Sequence, residues 1–178
     1  LTEATPFPVF DAALDIQAGY GLLRWLALDT LTIEAGVRYE DANQTVQLDQ
    51  SVFNTPIAGA TQTNIMNDYF LPSATVTWEP IDDLQLRLSA SQTIARPQFR
   101  ELVEQVYFDP ESNRQFLGNP LLTDSELINL EGRIEYYLGG TNRISLAGFY
   151  KDIDNPIENT LISASGVVRT SFANAPSA

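Results

Sequence analysis

The chain has 178 residues with 10 basic and 23 acidic side chains, a formal net charge of −13. That balance argues against a nucleic-acid partner, because phosphate contacts need Lys and Arg. It contains neither Cys nor His, which excludes disulfides, thiol nucleophiles, thiolate metal sites and Ser-His-Asp or Cys-His catalysis.

Residues 1 to about 14 read as irregular, with Pro6 and Pro8 close together. A first strand is predicted from about Asp15 to Trp25, with Ile16, Ala18, Tyr20 and Leu22 on one face and Gln17, Gly19 and Gly21 on the other. A tight polar turn at Ala27–Thr30 starts a second strand, Leu31 to about Asp41, whose apolar positions are Leu31, Ile33, Ala35, Val37 and Tyr39. Val46 and Leu48 fall on the other parity, so the pattern predicts that the strand has ended and a loop runs to Asn67.

A third strand, about Asp68 to Glu79, alternates Ala74, Val76 and Trp78 with Ser73, Thr75, Thr77 and Glu79. Its Pro72 sits near the start, where a missing donor is tolerated. Beyond the Pro80–Asp83 turn a fourth strand runs from Leu84 to about Ser91, followed by a long loop to about Ser125. The fifth strand, about Glu126 to Tyr137, sets Ile128, Leu130, Gly132, Ile134 and Tyr136 against Asn129, Glu131, Arg133 and Glu135. The sixth runs from about Arg143 to Asp152, and residues 157–162 and 167–172 form a small hairpin around Ser165-Gly166 inside the third loop.

Short turns at one end and long loops at the other predict an all-β, antiparallel up-and-down meander, part of a large transmembrane β-barrel. No segment reaches the roughly 18 consecutive apolar residues of a membrane helix, but a barrel hides its signal in alternation. The polar face carries full charges at Glu34, Arg38, Arg87, Glu131, Arg133 and Glu135, which suit a water-filled or plugged interior. Aromatic residues mark both ends: Trp25, Trp78 and Tyr136 by the short turns, Tyr39, Tyr69 and Tyr150 towards the long loops. Girdles at two membrane interfaces predict that placement. The alternatives are a structural or adhesive β-domain, whether an autotransporter-type barrel or a soluble surface sandwich with one wet face.

Several segments carry a family resemblance. They are Tyr69-Phe70-Leu71-Pro72-Ser73, Ala90-Ser91-Gln92-Thr93-Ile94-Ala95-Arg96-Pro97-Gln98-Phe99-Arg100-Glu101-Leu102, Gly118-Asn119-Pro120-Leu121-Leu122 and Gly148-Phe149-Tyr150-Lys151-Asp152-Ile153-Asp154-Asn155. In order and spacing they resemble the barrel domain of TonB-dependent outer-membrane receptors. Ala35-Gly36-Val37-Arg38-Tyr39-Glu40 and Phe172-Ala173-Asn174-Ala175-Pro176 fit the same family. The resemblance implies a bacterial outer-membrane protein whose barrel of about 22 strands has a plugged lumen. It also implies lipid around the barrel, a TonB complex acting through the plug, and a small-molecule or oligosaccharide ligand such as a siderophore or cobalamin. Residues 1–178 are then expected to be three strand-turn-strand hairpins of an internal stretch, with plug and remaining strands outside it. Alone, such a stretch is expected to associate through its edge strands.

Pro97 pushes Arg96 towards extended geometry. Arg96 and Arg100 at the rim are expected to anchor the loop through carboxylates such as Glu101 or Glu104, in preference to touching ligand. In the loop from Val103 to Phe116, Tyr107, Phe108, Asn113, Arg114 and Phe116 put aromatic faces beside polar and cationic groups. They are the candidate ligand contacts, the alternative being that they pack the loop against its neighbours. Asp152-Ile153-Asp154-Asn155 begins like a calcium loop but lacks the later Gly and Glu. Asp82-Asp83 is turn chemistry rather than an acid/base pair. No cofactor, metal or enzymatic activity is expected.

Overall fold

The computed structural model describes residues 9–49, 62–164 and 166–177. Of the irregular start expected over residues 1 to about 14, residues 1–8 lie outside the described residues, as does the middle of the first long loop. The rest of that start is corrected: the first strand already begins at Phe10 and pairs with the second from there, Phe10 opposite Leu48. Six strands form the main sheet: β1 (Phe10–Leu28), β2 (Leu31–Leu48), β3 (Thr63–Ile81), β4 (Leu84–Ala95), β7 (Ser125–Tyr137) and β8 (Arg143–Asp154). They lie in the order β1-β2-β3-β4-β7-β8, every neighbour antiparallel. This is the expected meander. Between β4 and β7 the chain forms a short helix α1 (Phe99–Leu102) and strands β5 (Val106–Asp109) and β6 (Arg114–Leu117). After β8 come β9 (Ile157–Ala164) and β10 (Val167–Asn174), the anticipated loop hairpin. These four pair in a second sheet, β5-β6-β10-β9.

The short turns are tight because the residues at their corners accept unusual backbone angles. Asp83 closes the β3–β4 turn at φ 66°, and Gly139 and Gly140 close the longer β7–β8 turn at φ 87° and 61°; side chains other than Gly, Asn and Asp rarely tolerate that region. Neighbouring turns are tied through Glu79 N–H to Thr30 O at 2.8 Å and Tyr137 N–H to Asp83 O at 2.8 Å.

Residues opposed in an antiparallel ladder share a face, so the register assigns every side chain. Leu31, Ile33 and Ala35 lie opposite Trp78, Val76 and Ala74. These lie opposite Leu86, Leu88 and Ala90, and those opposite Ile134, Gly132 and Leu130. The resulting apolar face is bare: Leu88 is 65% exposed and Leu146 71%. The opposite, inner face carries Glu34, Arg38, Arg87, Glu131, Arg133 and Glu135. Its ion pairs include Arg24–Glu34 at 3.4 Å, Arg133–Glu131 at 3.1 Å and Arg143–Glu135 at 3.0 Å.

The register corrects three expectations. In β1, Ile16, Ala18, Tyr20 and Leu22 do share a face, but they oppose Ala42, Glu40, Arg38 and Gly36 and so belong to the charged inner side. Trp25 lies on the other face, opposite Ile33. Leu22 needs Gly36 across from it, since a Cβ there would meet the Gly21 carbonyl at 2.9 Å and Leu22 Cδ1 at 3.1 Å.

β2 does not end near Asp41. It pairs without a slip to Leu48, and β3 begins at Thr63 opposite Val46. Val46 and Leu48 change parity because at this height the covered face is the inner one. There they join a small core with Leu102, Val103, Leu122 and Phe172.

Tyr69 does not share the outer face. It opposes Glu40, while its neighbour Phe70 opposes Tyr39 and packs on that ring at 4.9 Å.

Candidate functional site at the long-loop rim

β1, β2 and β3 are 18 or 19 residues long, whereas about 10 suffice to cross a bilayer. The excess, roughly 25–30 Å at about 3.4 Å per residue, forms a wall beyond the bare apolar band. The second sheet lies against the inner face of this wall.

Two polar clamps hold it there. At the end of β4, Arg96 forms an ion pair with Glu40, whose second oxygen takes Arg38 Nη2 at 2.8 Å. Glu40 is 5% exposed, so both its oxygens are matched inside the rim. Two periods of alternation further along β2, Gln44 Nε2 donates to Pro97 O at 2.8 Å. Pro97 lacks an N–H and cannot continue pairing; its buried carbonyl is satisfied from the wall instead. The anchoring carboxylate for Arg96 is thus Glu40, in place of Glu101 or Glu104. Glu101 is engaged locally, accepting Gln98 N–H at 2.8 Å as one half of a capping box on α1. Arg100 Nε donates to Gln98 Oε1 at 3.0 Å.

The second clamp lies at the start of β7. Buried Asp124 accepts Tyr69 Oη–H at 2.9 Å and Asn67 Nδ2–H at 3.1 Å from β3, both on its Oδ2. Beside it, Ser125 Oγ donates to Asn155 O at 2.8 Å.

Between the clamps the chain crosses itself at Gly118. A Cβ there would lie 2.2 Å from the Val103 carbonyl oxygen, so only glycine lets the two backbones meet. Asn119 then bonds in three directions. Its N–H reaches Glu101 O at 2.6 Å, its Nδ2 reaches Phe172 O at 2.9 Å, and its Oδ1 takes Leu121 N–H at 3.0 Å.

The five candidate contact residues separate into two groups. Tyr107 and Phe116 oppose each other across β5 and β6 and stack at 5.6 Å, and Phe116 stacks on Phe172 at 5.9 Å. They are packed, with Tyr107 only 5% exposed and its burial raising the hydroxyl pKa. Phe108 is half-buried, and Asn113 and Arg114 are exposed at the β5–β6 turn, Asn113 at φ 55°. In that turn Asp109 accepts Ser112 Oγ–H at 2.7 Å and Glu111 N–H at 3.1 Å. The Ser112 hydroxyl first, then the Glu111 amide, hold the Asp109 carboxyl below its ordinary pKa.

Below the rim the inner face holds an open, polar cleft of about 600 Å³, bordered by Arg24, Glu34, Glu79, Arg87, Glu131 and Arg133 among others. No group of three or more metal-ligating side chains converges among the described residues.

Residues 3–178 match the family described as TonB dependent receptor-like, beta-barrel. The chain belongs to that family. Solved structures agree on the fold. The copper transporter OprC superposes with a TM-score of 0.70 at 13% identity, over 92% of this chain and 24% of that one. A double mutant of the Serratia marcescens hemophore receptor HasR, in complex with its hemophore HasA and heme, gives 0.65 at 16% identity over 90% and 29%. The siderophore receptor PirA from Pseudomonas aeruginosa gives 0.58 at 14% over 93% and 38%. This chain thus spans between about a quarter and two fifths of those proteins. No curated protein matches it.

Within this TonB-dependent receptor barrel, sequence reasoning missed Glu40, Gln44 and Asp124 as clamp residues and Asn119 as the tie between the loops. Glu40 carried a signal: an acidic side chain on the same parity as Arg38, close to the height where the parity of apolar residues reverses.

Proposed function

We propose that this chain is a section of wall and rim of a bacterial outer-membrane receptor that takes up a scarce nutrient actively. The reading has three strand-turn-strand hairpins contributing to a larger barrel. The plug, the remaining strands and the contact with the TonB complex are supplied by the rest of the protein. Lipid covers the bare apolar face, and the charged inner face meets water and the plug. The single observation that carries this reading is the division of one continuous sheet into an unclothed apolar face and an ion-paired face, in a member of this family. Unpartnered, β1 and β8 present free edges and pair with copies of the chain.

Phe108, Asn113 and Arg114, at the free end of the loop sheet, are the proposed ligand contacts. Arg96 acts as an anchor and Arg100 supports α1. Trp25, Trp78 and Tyr136 form one aromatic girdle, and Tyr39, Phe70 and Tyr150 the other. Family members of known structure are named for copper, heme and siderophore traffic, so the test is a panel. Cells with and without the protein are supplied with labelled heme, copper, ferric siderophores, cobalamin and oligosaccharides, each with the inner membrane energised or de-energised. The reading expects energy-dependent accumulation of one substrate class, lost with the protein. Unchanged accumulation of the whole panel would count against transport.

A further inference from the structure

The second sheet is assembled from two different loops. β5 and β6 belong to the connection between β4 and β7, whereas β9 and β10 follow β8. They meet through a parallel pairing of β10 with β6, Thr170 opposite Phe116 and Ser171 opposite Leu117. Two further ties cross the same seam: Asn119 Nδ2 to Phe172 O at 2.9 Å, and the Phe116–Phe172 ring stack at 5.9 Å. A third tie joins the roots of the two loops, where Asn174 Nδ2 donates to Thr123 O at 3.0 Å and Asn155 O at 2.7 Å.

An isolated two-stranded hairpin is marginally stable at best in water, and three or more strands over an apolar face are needed for independent stability. The hairpin β5–β6 has four register pairs and β9–β10 has eight. Their shared core contains Leu102, Val103 and Leu122 from one loop and Phe172 from the other, closed beneath by Val46 and Leu48. The two loops thus share one cluster, most of it from the first loop, with Phe172 inserted from the second.

We propose that residues 96–124, 157–164 and 166–174 form and open as one cooperative lid, so that a ligand gripping either loop moves both. The coupling follows from the seam alone; only its use by a ligand rests on the receptor reading. Loss of order in one loop is paid by the other, and linkage makes the coupling reciprocal. The lid is then a local folding unit that opens while the main sheet stays closed.

The test is amide hydrogen exchange on the membrane-embedded protein, read at the two outermost strands of the lid. Asn119→Ala strikes the seam from one loop and should speed exchange in β9, which Asn119 does not touch. Phe172→Ala strikes it from the other and should speed exchange in β5. The Asn119 effect should be on the order of tenfold, the size expected for one lost buried hydrogen bond, and the Phe172 effect roughly a hundredfold or more, the size expected for truncating a buried ring, with β4, β7 and β8 unchanged. Where an alanine variant fails to assemble, Asn119→Asp and Phe172→Leu give the same comparison with smaller shifts. If β9 keeps its protection in the Asn119 variant, or β5 in the Phe172 variant, the loops open separately and the proposal falls. That result would leave the uptake assay untouched, so failure of the coupling and failure of the receptor reading are distinguishable.

Discussion

At the scale of single residues, the rim depends on a few buried polar atoms whose partners come from distant parts of the chain. Glu40 is the clearest. Its Arg96 partner has a side chain 16% exposed, its Arg38 partner 44%. Removing one member of a largely buried pair strands the other charge, whereas an exposed pair contributes little. Glu40→Gln should therefore cost about 2–3 kcal/mol of rim stability, against under about 1 kcal/mol for Arg38→Gln. Local opening of Phe99–Leu102, followed by amide exchange, measures both; equal effects would contradict the assignment. Asp109 gives a pH dependence. Its carboxyl titrates below the ordinary value because Ser112 and Glu111 bond the ionised form. Such a group stabilises its turn above the unfolded pKa, and that contribution is lost as pH falls through the folded one. The Glu111 amide resonance should then shift with a midpoint below the ordinary carboxylate pKa of about 3.9. Asp109→Asn should abolish the transition. A midpoint at or above that value would disprove the turn's role. Little of this was legible in sequence. Arg96 stood out through Pro97, but its partner lies on a strand 56 positions away, and no local spacing reports such a meeting.

At the scale of elements, alternation carried the six main strands and the three short turns, because each is decided by neighbours two residues apart. It failed where the environment of a face changes along one strand. In β2 the apolar face is the outer one as far as Tyr39 and the inner one from Ala42 onward, so Val46 and Leu48 looked like the end of the strand. Their pairing with Ala12 and Phe10 shows an unbroken ladder. β1 failed for a related reason: Tyr20 and Leu22 are apolar on the inner side, and only the opposed Arg38 and Gly36 reveal it. Face identity also makes a sharp prediction. Leu88 and Ser89 are consecutive in β4, outer and inner. Leu88→Arg places a charge against the hydrocarbon and should cost about 2–4 kcal/mol, while Ser89→Arg should be nearly neutral. Denaturant unfolding of the two variants in lipid separates them; similar costs would mean that neither face meets a bilayer.

For the whole molecule, the accessible surface is 12070 Å², where a compact monomer of 19.7 kDa exposes about 8,600 Å². The open faces and edges of the main sheet, covered on the inner side only under the loop sheet, contribute to that excess. A structure of this kind is stable when lipid covers one face and further strands close the edges, which is what membership of this barrel family implies. The overall class was legible from the chain because short turns, long loops and segregated charge are repeated three times. The loop sheet was not, since its β6–β10 seam joins segments that carry no mark of each other. The central claim is that the two faces of the sheet meet different solvents. The chain has no Cys, so single cysteines placed along β4 meet no other thiol in this stretch and can be labelled in intact outer membranes. A lipid-phase maleimide should react at Leu86, Leu88 and Ala90 and a water-soluble one at Gln85, Arg87 and Ser89, with a period of two. Equal reaction of both sets from water would contradict the account.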